Sequence, residues 1–575
     1  MKKLSLLLFC LALFLGHYQA AAVDYYVKKT GNNGNSGTSH ATAFLSIQTA
    51  LNVASPGSTI YVDAGIYKER LWWPSSGTPG SRIRLTNYNG AAVTLDGGNG
   101  GTNTTQNAMI AVGDRSHIEI SNLRIRNNYR SDAIGIHITG AGTDIRIIDC
   151  TIFLIGWTTN AAAIPGPGNN ANPLVVVGSS SNSINDLLIS GNKIYSCITG
   201  YSEALAVNGN VENFVVENNS VYNNTNIGIV IAGHYAWTGA PANVNYARNG
   251  TVRNNLTYGC VSQVAISAGI YIDGASDIVV EKNKSYDNGV GFSVGCENAN
   301  ATVTGILLRN NWSYKNREVG LQFGAIGAGS VVSNCLVSNN SFYANYTIGC
   351  FGAEIAMSDN DNNEIVQNIL VPRTDSCVAI GIWGYTATNL ALDYNLFWRD
   401  NGNSANMYAN VNPDPHAVIG KPKFIKTNTT LASTDLHVKK GSKAINTGDP
   451  AFAAAPGETD IDGQVRVQSG RVDIGADETL PIVLFALEEP ATKLQENAIM
   501  QIYPNPASEI VYFKVADAVS IAVFDMKGNL IWSKEPESGT EVTSFYCGQL
   551  NSGIYTVTIQ KSDGSQVVDQ LSIVK

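Results

Sequence analysis

The chain has 575 residues, of which 14% are charged, with 56 glycines and a formal net charge of -9. So few charges among so many glycines exclude a helical bundle and favour a turn-rich β protein, long enough for a repetitive domain with an appendage. The acidic balance speaks against a nucleic-acid partner, because phosphate binding needs a basic footprint and none is legible in the sequence.

At the start, Lys2 and Lys3 precede the apolar run LSLLLFCLALFLG, and Ala20 to Ala22 follow. This is the layout of a signal peptide over residues 1–22, so the mature chain is expected to be exported. Cys10 lies in that run without a lipobox around it. Removing it from nine cysteines leaves eight, and an oxidising compartment permits disulfides. Their scatter assigns no pairs; Cys197 and Cys260 fall at equivalent repeat positions, where a buried thiol packs as well as a bridge.

Residues 23–114 contain one short amphipathic helix, IQTALNVA, among strands. The stretch from DYYVKKTGNN to AAVTLDG resembles the N-terminal cap of bacterial parallel β-helix polysaccharide-degrading enzymes of the pectate lyase and chondroitinase/alginate lyase type. The resemblance implies a plug over the open first coil, whose unpaired edge would otherwise invite aggregation.

From 115 to 479 a repeat runs through the chain. LLISGNKIYSC, FVVENNSVYNN, GTVRNNLTYGC, IVVEKNKSYDN, LLRNNWSYKN and LVSNNSFYAN align on an Asn column: Asn192, Asn219, Asn255, Asn283, Asn311, Asn340, Asn368 and Asn395, with Asn122 and Asp149 as expected earlier members. An aromatic column follows three positions on, Tyr195, Tyr222, Tyr258, Tyr286, Tyr314 and Tyr343. Two longer steps, 149 to 192 and 219 to 255, imply loops inserted into a coil. A second strand recurs as EALAVNG, IGIVIAG, AGIYIDG, VGFSVGC and VGLQFGA. Short strands, small residues at bends and one stacked polar column specify an all-β, right-handed parallel β-helix, in which equivalent residues stack at about 4.8 Å. Stacked amides bond one another and the bend backbone, so the Asn column reads as structural.

Alternation along the second strand turns Ile270 and Ile272 inward and Tyr271 and Asp273 outward. Asp273 is then the only ionisable member of an exposed ladder running Asn208, Ala232, Asp273, Gly295, with small neighbours on both sides. Two positions beyond stand Asn210, His234, Ala275 and Glu297. One coil and two strand residues separate Asp273 from Glu297, roughly 8 Å at Cα. Such paired carboxylates serve glycosidic cleavage, one protonated as acid and the other as base or nucleophile. Glu203, in a column of apolar residues, is a candidate general acid if it points inward and is desolvated, and a turn-bonded carboxylate otherwise. The insertion GHYAWTGAPANVNYARNG supplies His234, Tyr235, Trp237 and Arg248. Loops inserted on one face of a solenoid often build its binding wall, so Tyr235, Trp237 and Arg248 join Tyr271 and Asn208 as candidate substrate contacts.

The segments TDLHVKKGSKAINTG and DIDGQVRV…GRVDIGADE resemble the closing part of secreted β-helix proteins, with Asp460, Asp462, Asp473, Asp477 and Glu478 expected as turn and capping residues rather than catalytic ones. After a linker, 480–500, alternating strands around KGN and SDG over 501–575 predict a small β-sandwich. YPNP at Tyr503 to Pro506, SGIYTV and the final Lys575 resemble the C-terminal sorting domain of the Bacteroidetes type IX secretion system. That resemblance implies the type IX machinery as a partner and a destination outside the cell or on its outer surface.

Three functions fit these readings. The first is a secreted polysaccharide hydrolase using Asp273 and Glu297, with Glu203 as a candidate acid and His234 and Tyr271 as positioning groups. The second is a polyuronate lyase working by β-elimination. Lyases of the chondroitinase/alginate type carry a Lys base in a strand motif similar to SEALAVNGN, whereas Asn208 occupies the comparable place here. That departure leaves His234 or Tyr271 as base, with Ca²⁺ as a candidate cofactor held by Asp273 and Glu297. The third is a non-catalytic glycan-binding surface protein. A polysaccharide is the expected partner in all three, and a monomer the expected state.

Overall fold

The computed structural model describes residues 22–98, 106–349, 352–427, 430–468, 470–479, 501–514, 517–525, 529–536, 542–562 and 566–574. The expected leader, up to Ala21, and the expected 480–500 linker lie outside the described residues. The chain divides into two compact units, one before and one after that linker.

In the first unit the repeat becomes a parallel β-helix. Sheets of 13, 12 and 13 strands run along it, and each coil adds one strand to each sheet in sequence order. Coils stack on inward apolar side chains: Leu205, Val207, Ile229, Ile231, Ile270, Ile272, Phe292 and Val294 are all buried in one continuous core. The helix Ile47–Val53 closes the first coil, with Ile47, Ala50 and Leu51 turned inward and the Ser46 side chain accepting from the Thr49 N–H at its start.

Each bend is held by amides. The backbone N–H and the side-chain Nδ2 of Asn192 both donate to Oδ1 of Asn219, at 2.9 and 3.0 Å. The same pair of bonds repeats through Asn255, Asn283, Asn311, Asn340, Asn368 and Asn395. Asn395 then donates both hydrogens to Oδ2 of Asp414, at 2.8 and 2.9 Å. At the other end the structure corrects the expectation. Thr151 pairs with both Arg124 and Lys193, which puts Leu123 and Cys150 in the column instead of Asn122 and Asp149. Asn122 and Asp149 stand one residue earlier, at φ 58° and 53°, a left-handed position that Asn and Asp tolerate better than other side chains. A second row, through Asn288, Asn316 and Asn345, ends on the carboxylate of Glu354. Cys197 and Cys260 sit in that row as buried thiols whose N–H groups donate to Asn224 and Asn288.

The aromatic column stacks on the outer side of the third sheet. Phe153, Tyr195, Tyr222, Tyr258, Tyr286 and Tyr314 follow one another with ring centroids 4.7 to 5.2 Å apart. The antiparallel pair Phe424–Lys426 and Asp435–Val438 closes over its far end, where Phe424, Leu436 and Val438 pack with Tyr286, Trp312, Tyr314 and Tyr343. Four of the acidic residues near the end cap backbone there. Asp460 accepts from the N–H groups of Asp462, Gln464 and Glu478, Asp473 from Asn446 and Thr479, Asp477 from Val438, and Glu478 from Asp473. Asp462 instead pairs with Nε2 of His437 at 2.8 Å.

The second unit is built from antiparallel sheets of three and four strands. Alternating residues Val511, Phe513, Ile521, Val523, Val557, Ile559 and Leu571 form its own core.

Candidate active site

The register runs as the alternation requires. Asn208, Ala232, Asp273 and Gly295 are neighbours across successive strands Leu205–Gly209, Ile229–Ala232, Ala268–Asp273 and Val290–Gly295. The ladder is not exposed, however: Asp273 is only 2% accessible. The inserted loop folds over it, and the Tyr235 hydroxyl donates to Oδ2 of Asp273. Oδ1 accepts the backbone N–H of Glu297 at 3.2 Å, and Tyr271 Oη donates to Oε1 of Glu297 at 3.4 Å. Small residues, Ala232 and Gly295, flank Asp273 on this ladder.

Burial pushes the Asp273 carboxyl up to about 7, and the nearby charge of Glu297 adds to it; the Tyr235 hydroxyl opposes the rise. Tyr235 and Tyr271 are both held protonated well above the ordinary phenol range, first by burial and then by the carboxylate charges around them.

Glu203 does not point into the coil. Ala204 and Leu205 are both buried in the core, so strict alternation breaks between them and Glu203 is thrown outward. The reason lies in the next coils, where the inward place of Ala204 is taken by Gly228, Gly269, Gly291 and Gly320. A Cβ at Gly269 would lie 2.3 Å from Ser285 Oγ and one at Gly291 2.1 Å from Ser313 Oγ, so the coil is narrow here. Glu203 therefore lies on the same outer face as Ile227, Ala268 and Val290, half-buried. Burial, with smaller contributions from the charges of Asp273 and Glu297, still raises it to about 7.

These groups line one groove with a volume of about 590 Å³, together with Tyr271, Asn208, Tyr235 and Trp237. Its floor is aliphatic: Val175, Val177, Ala206, Val230 and Ala232 form an outer apolar cluster with Tyr271. Trp237, 63% exposed, and Tyr201, 42% exposed, stand at the rim. The loop is pinned by Asn245, whose Nδ2 donates to the Tyr235 carbonyl while Oδ1 accepts from Thr238.

Two expected residues stay out of the groove. The His234 ring stacks on Tyr246, with centroids 5.4 Å apart, and burial lowers its affinity for a proton. Arg248 pairs with Glu212 at 2.8 Å, donates to Asn210 Oδ1 and lines a different hollow. Conversely, the groove includes His137, Asp132 and Tyr201, which sequence reading passed over. His137 falls in the outward column of Val175, Ala206, Val230 and Tyr271. Its strand precedes the first clear repeat, so only the register reveals it. Burial lowers its pKa.

The pair Asp273 and Glu297 does not fit a calcium ion. Two carboxylates offer at most four of the six to eight oxygen ligands that calcium calls for. Among the described residues, three or more metal-ligating side chains converge only at His437, Asp462 and Asp477, away from the groove.

Residues 25–163 match the profile of the Pel9A-like, right-handed β-helix region, and residues 501–574 match the secretion system C-terminal sorting domain. This tail marks the protein for the type IX route, secreted or attached to the outer cell surface. A curated relative, Uncharacterized protein YwoF of Bacillus subtilis (strain 168), is 32% identical over 305 residues, 51% of this chain and 62% of that protein. The chain thus spans less than two thirds of that relative. Similar solved structures include the lacto-N-biosidase of family GH136 from Eubacterium ramulus (13% identity, 65% of this chain and 67% of that one, TM-score 0.46). XylC in complex with xylose (11%, 71% and 88%, 0.41) and pectate lyase Pel9A (13%, 80% and 97%, 0.36) are two more. At these identities the likeness is one of fold.

Proposed function

We propose that the protein is a secreted glycoside hydrolase that cleaves an uncharged or cationic polysaccharide in this groove. The observation that carries the reading is the lining itself. Asp132, Glu203, Asp273 and Glu297 face the cavity and, among its described lining residues, no Lys or Arg does. A polyuronate would bring like charge into a partly desolvated trench, at a Coulombic cost of about 4 kcal/mol for a unit pair 4 Å apart at intermediate dielectric. A neutral sugar meets no such penalty, and its apolar face suits the aliphatic floor and the exposed rings of Trp237 and Tyr201.

Chemistry falls to Asp273 and Glu297. With its carboxyl near 7, Asp273 still holds a proton close to neutrality and can pass it to the leaving glycosidic oxygen; the bond to the anomeric carbon breaks as that proton arrives. Glu297, beside it and bonded to Tyr271, either takes a proton from the water that attacks the anomeric carbon or attacks that carbon itself, forming a glycosyl ester that water then hydrolyses. Glu203 is a second proton-holding group in the groove. Tyr235 and Tyr271 position the pair.

The test is to incubate the mature protein with neutral and with uronate polysaccharides, following reducing ends and the ultraviolet absorbance of unsaturated uronate. New reducing ends from a neutral glycan, without absorbance and unchanged by a chelator, support the proposal. Absorbance lost on chelation would instead establish a calcium-dependent lyase, and binding without either signal a glycan-binding protein.

A further inference from the structure

A basic cleft of about 640 Å³ lies at the far end of the first unit, between the segment 421–427 and Lys439. Among the described residues Lys421, Lys423, Lys426 and Lys439 line it, all exposed, against one carboxylate, Asp400. The two segments are held side by side by the N–H of Lys439 on the Lys423 carbonyl, at 3.2 Å, and of Lys443 on that of Lys421, at 3.1 Å. Asp400 is already engaged, accepting from Tyr343 Oη at 2.8 Å. None of the ion pairs formed among the described residues uses a lysine. Lys440 and Lys443, also exposed, follow directly in the chain.

In a protein of net charge -9, like charges gathered without partners repel one another, and the arrangement is relieved only by a bound anion or by salt. This is the local basic footprint that the overall composition hides. The cleft sits where the pair Phe424–Lys426 and Asp435–Val438 covers the aromatic column, whereas the catalytic groove lies on the sheet containing Ala268–Asp273. They are different faces of the solenoid.

We propose that this cleft binds an acidic polysaccharide through its carboxylate or sulfate groups, as an anchoring site separate from the groove. The exported destination favours sugar-borne anions. Among the described lining residues the cleft offers no stacking platform for bases: the one aromatic there, Phe424, is 8% exposed.

The test measures binding of the full mature chain to dextran sulfate, polygalacturonate, uncharged dextran and duplex DNA, at low and at about physiological ionic strength. Both acidic polysaccharides are expected to bind, dextran not, with affinity falling as salt rises. A variant with K421E, K423E, K426E and K439E should lose at least about tenfold in affinity and flatten the salt dependence, while hydrolysis of a neutral glycan is unchanged. The pair K423E/K426E, with an unchanged melting temperature, serves if the fourfold variant folds poorly and should show a partial loss. Absence of polyanion binding, or binding untouched in both variants, would overturn the proposal. Tighter binding of DNA than of dextran sulfate would reassign the cleft to nucleic acid.

Discussion

The hydroxyl of Tyr235 donates to Oδ2 of Asp273, joining a loop inserted in one coil to the strand of the next across 38 residues of sequence. The loop therefore both covers the carboxylate and tunes it. Its donor favours the ionised form, so Tyr235→Phe should push Asp273 further up. A hydrogen bond to a charged group contributes about 1.5 to 3 kcal/mol, so the alkaline limb of the activity profile should rise by about one pH unit or more. Profiles of kcat/KM for the two proteins check this; coincident limbs would detach Tyr235 from the titrating group.

Asp273→Asn removes the proposed proton donor while keeping the side chain's shape. Turnover should fall about 10²- to 10⁴-fold, with KM much less affected. Glu297→Gln should fall comparably, and azide or another small nucleophile is the natural rescue reagent if Glu297 acts as nucleophile.

The same carboxyl links folding to pH. Its folded value, about 7, exceeds the ordinary 3.8, so the folded state holds the proton more tightly than the unfolded chain. Stability is thus fully present below the unfolded value and is lost as pH rises toward and through about 7. Glu203, also raised to about 7, acts in the same direction. Asp273→Asn should therefore melt higher than the parent above neutrality, with the difference vanishing in acid; its size is on the order of a few kcal/mol. Activity of the parent should decline as pH rises through about 7 and the donor loses its proton.

Asn283 lies in the middle of the amide row, accepting from Asn255 and donating to Val252 and Asn311. Asn283→Ala leaves several buried groups unpaired and should cost about 2 to 4 kcal/mol. Denaturant melts followed by circular dichroism measure it. A variant as stable as the parent would show that bend waters replace the amide.

Much of this was legible because a solenoid converts spacing into adjacency. The register that set Asn208, Ala232, Asp273 and Gly295 in one line required only the repeat length and a period of two. What alternation missed was a local break. At Ala204 and Leu205 two successive side chains face inward, and nothing in EALAVNG marks the shift until the glycines of later coils are seen against Ser285 and Ser313. Similarly, Asn122 and Asp149 mimic the polar column because Asn and Asp also suit the left-handed residue one step before it. Loop placement was harder still. The sequence located the insertion after Gly233, but not that His234 would turn away while Tyr235 reached back to Asp273.

Both amide rows run one way. Every side-chain oxygen in the rows faces the preceding coil and every backbone N–H the following one, so the small dipoles add along the axis as in a helix. Each row ends in an acid, Asp414 in one and Glu354 in the other, where summed positive ends converge. The solenoid thus carries a written stop. A further coil could not extend the first row past Asp414 in the same idiom, whereas the coils of Cys377–Ile382 and Tyr408–Ala409 follow Glu354 without its row; the end of the rod is encoded at Asp414 as firmly as at its plugged beginning.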